Sequence, residues 1–351
     1  MYESGLKGLE FISQAVGNLP EMVQGGGGNT SVKLDGELMA VKASGLRLNQ
    51  VTSGGGFAVV KYKRIAEYYE NVDLDSNIDY ESDSVEFVKA NTVELQGLKK
   101  LRPSVEAGFH SILKKYVIHS HSVYANILCC SQNGRELVDR IFEGNSPGFI
   151  WVPYIKPGFS LTLKIKEEIG RRVRRGEGFP AAVFMENHGL IVNSDDCGEC
   201  ATLHAEVNGR IRQYLGMVEP YPQVRLEKAG EGKYLSKTGY ILDFFQTNAA
   251  ESDFFEKTVL YPDQIVYLNG NVTIGGSEGK LVVNTRKGSA IYNTGYEEAL
   301  AIEETLLAYL YVVSEMKRHG IPLKTMSEKD ADFIRNWESE KYRKSLLKDG
   351  M

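Results

Sequence analysis

At 351 residues the chain is long enough for about two structural units, and its 42% hydrophobic and 25% charged residues are ordinary for a globular protein. A formal net charge of −5 without a dominant basic patch argues against nucleic acid as a partner, because binding a phosphate backbone depends on clustered Lys and Arg. No run reaches the ~18 to 20 consecutive apolar residues that span a bilayer, and Met1-Tyr2-Glu3-Ser4-Gly5 has neither the basic nor the apolar part of a leader, so a cytoplasmic chain with no membrane partner is expected.

Leu9, Ile12, Ala15, Val16 and Leu19 make a helical stripe over residues 7–19 that Pro20 stops. The run Gly25-Gly26-Gly27-Gly28 then leads through Asn29-Thr30-Ser31 into an alternating strand, which a turn at Asp35-Gly36 returns over residues 37–42. Ala43-Ser44-Gly45 closes the hairpin. After a second glycine loop at 53–56, residues 58–70 read as helical, and the acidic stretch 71–84 as an exposed insertion. Residues 104–115 read as a helix, 116–121 as a strand and 123–130 as the start of another helix. Leu161, Ile165, Ile169 and Val173 mark an amphipathic helix. Its end gathers Arg171, Arg172, Arg174 and Arg175, where cations suit the macrodipole and stay solvated. A buried strand at 181–185 runs towards His188, followed by Leu190-Ile191-Val192 and a helix over about 197–215.

Beyond Glu219-Pro220-Tyr221-Pro222 the texture changes to short strands at 264–268, 272–274, 280–283 and 290–292, then a long helix at 297–318 that Gly320 stops. Residues 1–225 therefore read as an α/β unit and 226–351 as a smaller α+β extension of unassigned role. Tyr261-Pro262-Asp263-Gln264 has no assignable chemistry at this level. Cys197 and Cys200 match a C-x-x-C redox or metal pair, but Asp196 and Glu199 form a capping box that would put both cysteines in a helical first turn against the sheet.

His119 and His121, two of six histidines, stand one residue apart at the end of a strand and so project to one face. Two imidazoles at that spacing can chelate Zn²⁺, and a catalytic site needs one more protein ligand and an open position. His188, in Glu186-Asn187-His188-Gly189, is the leading third candidate.

Gly27-Gly28-Asn29-Thr30-Ser31, Ala43-Ser44-Gly45, Pro103-Ser104-Val105-Glu106, His119-Ser120-His121 and Asn187-His188-Gly189 occur together in an order and spacing that resemble the class II aldolase/adducin family of sugar-phosphate lyases. The glycine-rich start is most similar to the rhamnulose- and fuculose-phosphate aldolase-like branch. The resemblance implies a three-layer α/β/α fold with a mainly antiparallel sheet for 1–225, and a homo-oligomer, with a tetramer as the family precedent. It implies Zn²⁺, or another divalent metal, on His119, His121 and His188, with Glu106 as the proton-transferring carboxylate. By itself Glu106 also reads as an exposed helical first-turn residue, and His110, four residues on, as either its partner or a core histidine.

Gly28, Asn29, Thr30, Ser44, Gly45 and Ser104 match the family's phosphate-binding positions, where glycine-rich turns expose backbone N–H groups. Val105 stands where several members have a second serine, which leaves room for another anionic group. Lys156, in a family-like loop, is a candidate substrate-binding cation or a solvated loop lysine. The activity implied is reversible cleavage of a ketose 1-phosphate into dihydroxyacetone phosphate and an aldehyde through a metal-stabilised enediolate. Epimerases, dehydratases and decarboxylases share that metal site, and the adducin branch supplies a rival of another class, a non-catalytic scaffold.

Overall fold

Along the central strands apolar side chains turn alternately to opposite faces, and this period of two builds the layers of the molecule. The computed structural model describes residues 2–95, 97–144, 148–248 and 250–337. The chain begins α1 (Glu3–Gly17), β1 (Asn29–Lys33), β2 (Leu38–Lys42), β3 (Phe57–Lys61), α2 (Tyr62–Asn71), α3 (Tyr80–Ala90), β4 (Thr92–Val93). It continues α4 (Ala107–Ile112), β5 (Tyr116–Ser120), α5 (Val123–Cys129), α6 (Gly134–Ile141), β6 (Phe149–Val152), α7 (Phe159–Arg174), β7 (Ala182–Met185), β8 (Gly189–Ser194) and α8 (Cys197–Tyr214). These strands form one sheet in the order β4-β3-β2-β1-β5-β8-β7-β6, antiparallel except between β6 and β7. Ile118, Phe184, Leu190 and Val192 face α1, α5 and α8, whereas Val117, Val183, Met185 and Ile191 face α4 and α7. The result is the three-layer α/β/α arrangement with a mainly antiparallel sheet.

The remainder runs β9 (Leu226–Gly230), β10 (Lys233–Ser236), α9 (Gly239–Thr247), α10 (Phe254–Lys257), α11 (Pro262–Tyr267), β11 (Val272–Ile274), β12 (Leu281–Asn284), β13 (Ser289–Tyr292), α12 (Tyr296–Arg318) and α13 (Glu328–Asn336). Its five strands make a second sheet, β11-β12-β13-β10-β9. Helix α12 packs against α5, and Ile302, Leu306 and Leu310 extend the apolar core of the first sheet, so the two units share one interior. Among the described residues no helix is long and apolar enough to cross a membrane.

Four expected elements differ. The helix read over 104–115 is helical only over Ala107–Ile112. Residues 58–70 are not one helix: Phe57–Lys61 is a strand paired with β2, because its apolar run is buried on both faces of the sheet, and only Tyr62–Asn71 is helical. The acidic stretch expected as an insertion is exposed at Leu74 and Ile78 but enters a helix at Tyr80, where the Asp79 side chain accepts from the N–H groups of Glu81 and Ser82. Residues 264–268 are not a strand but the end of α11, which opens on Pro262 and is buried against α12 and α13. A short apolar run buried all round has no period that separates strand from helix. Cys200 is buried in the core, and Asp196 caps α8 through the Glu199 N–H.

Candidate metal centre

Strand β5 carries His119, and His121 follows just beyond its last residue, so both rings emerge on one face at the open end of the sheet. His188 arrives from the turn between β7 and β8. Asn187 adopts φ 50° there, a left-handed conformation that asparagine tolerates better than most residues. Its side-chain amide donates to the carbonyls of Leu260 at 2.8 Å and Lys324 at 2.7 Å, which anchors the turn to the C-terminal unit. The three histidines are buried, and one ligand atom of each lies within 4.8 Å of the others.

Glu106 joins them from the start of α4. Its Oε1 is 3.2 Å from His188 Nε2 and its Oε2 is 3.6 Å from His119 Nε2. Rather than an exposed first-turn residue it is 8% exposed, and Asn29 Nδ2 donates to Oε2 at 2.6 Å. Asn29 is held in turn by His110 Nε2, whose Nδ1 meets the Ser31 hydroxyl at 2.7 Å. His110 thus reaches Glu106 through Asn29. Burial pushes the His110 imidazole down to about 3, so it acts as a neutral hydrogen-bonding group. Burial also opposes charge on Glu106, but the imidazoles of His119, His188 and His121 outweigh it and hold the carboxyl well below its usual range. Burial drives His119 well below the usual imidazole range.

The donor set fits a divalent cation. His119 Nδ1 donates to the Leu190 carbonyl at 3.1 Å, and His121 Nδ1 faces the Asp263 carboxylate. Since both acceptors take the Nδ1 proton, two Nε2 lone pairs face each other 3.1 Å apart. That arrangement calls for a cation or a proton between them. His188 Nδ1 is buried without a hydrogen-bond partner among the described residues. Three imidazoles beside a carboxylate suit zinc and similar borderline cations.

Gly28, Asn29, Ser44, Gly45 and Ser104 line the same pocket as Glu106, His121 and His188. Thr30 and Lys156 are not among the lining residues. Thr30 follows the strand alternation to the opposite face, where its hydroxyl meets Ser13 at 2.6 Å. Lys156 places its Nζ 4.5 Å from the Phe333 ring, and its neighbour Pro157 lines the pocket instead. Val105 also lines it. The lining residues that were not among the sequence candidates include Lys42, buried, whose Nζ donates to the Gly26 and Ala43 carbonyls at 3.3 and 3.4 Å, and Pro262, Asp263 and Trp337 from the C-terminal unit. For Lys42 a signal existed, because it ends the strand that leads into Ala43-Ser44-Gly45. Nothing local in the sequence marks Asp263.

The chain belongs to the Class II Aldolase and Adducin N-terminal domain family, which its residues 15–215 match. It is 27% identical over 220 residues to the "uncharacterized oxidoreductase YuxG" of Bacillus subtilis, a match covering 60% of this chain and 30% of the relative, so it spans less than a third of that relative's length. It is 26% identical over 214 residues to a 3-oxo-tetronate 4-phosphate decarboxylase of Haemophilus influenzae, covering 54% of this chain and 82% of the relative. The N-terminal class II aldolase domain of a conserved Thermoplasma acidophilum protein superposes with a TM-score of 0.50 at 23% identity, over 61% of this chain and 95% of that one, a likeness of fold.

Proposed function

We propose that the chain is a zinc-dependent class II aldolase that reversibly splits a ketose 1-phosphate into dihydroxyacetone phosphate and an aldehyde. The observation that carries this reading is the convergence of His119, His121 and His188 with the Glu106 carboxylate. The three histidines would hold the cation, which when bound supplies Lewis acidity, polarising the substrate carbonyl and offsetting the negative charge left as the carbon–carbon bond breaks.

The chain's own residues do the rest. Glu106, oriented by Asn29, removes the proton from the hydroxymethyl carbon of dihydroxyacetone phosphate in the condensation direction and returns it in cleavage. Asn29, Ser44, Ser104 and the Gly28 and Gly45 turns offer hydrogen-bonding groups to the anionic end of the substrate, and Lys42 adds an ammonium. Val105, Pro157, Pro262 and Trp337 give apolar walls that limit water at the reacting carbon. A cytoplasmic homo-oligomer acting on a small phosphorylated sugar completes this proposal.

The Haemophilus relative favours a second reading, decarboxylation of a phosphorylated 3-oxo sugar acid, in which carbon dioxide leaves in place of the aldehyde. Zinc-loaded protein incubated with ketose 1-phosphates and with 3-oxo-tetronate 4-phosphate separates the two. Dihydroxyacetone phosphate with an aldehyde from a ketose 1-phosphate, lost in Glu106→Gln, supports the aldolase. Carbon dioxide with dihydroxyacetone phosphate from 3-oxo-tetronate 4-phosphate, and no cleavage of ketose 1-phosphates, assigns the decarboxylase, and no product from either substrate removes both readings.

A further inference from the structure

We infer that Asp263 is a positioning residue for His121, delivered by the C-terminal unit, so that residues beyond 225 complete the metal centre; the inference rests on the three-histidine reading above. Asp263 Oδ2 accepts the proton on His121 Nδ1, and both groups are buried, the carboxylate being 1% exposed. The hydrogen bond fixes the ring with Nδ1 protonated and Nε2 turned to His119. A carboxylate on the far nitrogen of a ligating imidazole sets its tautomer and orientation and raises its basicity.

Two further features show a built contact rather than a chance one. A Cβ on Gly27 would stand 2.5 Å from Asp263 Oδ2 and 2.8 Å from His121 Nδ1, so the loop is bare of side chain where carboxylate and imidazole meet. The helix that carries Asp263 is also tied to this loop, because the Tyr267 hydroxyl accepts from the Gly26 N–H at 3.0 Å. From α12, Glu304 accepts from the Gly25 N–H at 2.8 Å and holds Arg47 through two contacts of 2.9 Å. The N–H groups of Gly25 and Gly26 are thereby committed to holding the C-terminal unit in register with the first.

The test uses the full chain with ¹⁵N-labelled histidine, metal-free, its tautomers read by long-range ¹H–¹⁵N correlation and the His121 signal assigned with His121→Ala. Wild type is expected to hold His121 as the Nδ1–H form, Asp263→Glu to keep it, and Asp263→Ala to release it to a mixture. In parallel, Co²⁺ is titrated against a chromophoric chelator. Asp263→Ala and the shape-preserving Asp263→Asn should bind it about 10- to 100-fold more weakly, and Gly27→Ala should shift the same way by displacing the carboxylate. Thermal unfolding of each metal-free variant identifies a folded sample, and Asp263→Asn serves if the alanine variant unfolds. An unchanged His121 tautomer in Asp263→Ala, or Co²⁺ affinity equal to wild type in folded Asp263 variants, overturns the inference. Wild type that takes up no Co²⁺ would instead remove the metal-centre reading, and the tautomer comparison would then decide the role of Asp263 alone.

Discussion

Replacing His110 by glutamine should flatten the acid limb of the stability curve. His110 is fully enclosed, bonded to Ser31 on one nitrogen and Asn29 on the other, and burial pushes its imidazole from the usual 6.5 down to about 3. Because the folded-state value is depressed, the unfolded chain takes up this proton first as pH falls. The contribution is fully present above pH 6.5 and is lost progressively between 6.5 and about 3. At about 1.4 kcal/mol per pH unit, the whole interval corresponds to about 5 kcal/mol, so roughly 3 kcal/mol is lost between pH 6.5 and 4. Burial pushes His204 down to about 4, and it adds a loss of the same sign, so the informative quantity is the difference between wild type and His110→Gln. Urea unfolding at pH 7, 6, 5 and 4 measures it. The variant should be less stable at pH 7 and converge on wild type, or overtake it, as pH falls. Two parallel curves would show that His110 is protonated as readily in the folded chain as in the unfolded one.

Glu106→Gln should retain metal while turnover falls by about 10²- to 10⁴-fold, a loss that steady-state assay together with metal analysis reads directly; unchanged turnover would take Glu106 out of the chemistry. At Asn187, φ 50° and two hydrogen bonds to the C-terminal unit act together. Asn187→Gly loses only the bonds, whereas Asn187→Ala adds backbone strain of about 1 kcal/mol, so chemical denaturation should rank alanine as the more damaging. Burial lowers Lys33 to about 8, so on its account stability rises with pH between about 8 and 10.5, and Lys33→Met should remove that rise in unfolding curves across this window.

Local patterns carried the parts of the site that a strand or a turn sets by itself. The period of two put His119 and His121 on one face, and the same period should have separated Asn29 from Thr30, which point to opposite sides of β1. The long helices α1, α7, α8 and α12 showed as apolar stripes bounded by Pro, Gly and capping residues. Asp263, Tyr267 and Glu304 did not show, because their contacts with His121, Gly26 and Gly25 join residues 142, 241 and 279 positions apart. Such contacts exist only once α12 has packed on α5, and no spacing rule reaches across that distance. The contact of Lys156 with Phe333 of α13 was hidden for a related reason, since no local pattern places that helix beside the loop.

The most direct measurement is exchange of the C–H protons of dihydroxyacetone phosphate into D₂O, followed by NMR, with zinc-loaded protein and a His119→Ala/His121→Ala control. An aldolase built on this pocket should exchange the hydroxymethyl proton only with metal and both histidines present, and should stop in Glu106→Gln. No exchange at full zinc occupancy would contradict the aldolase reading.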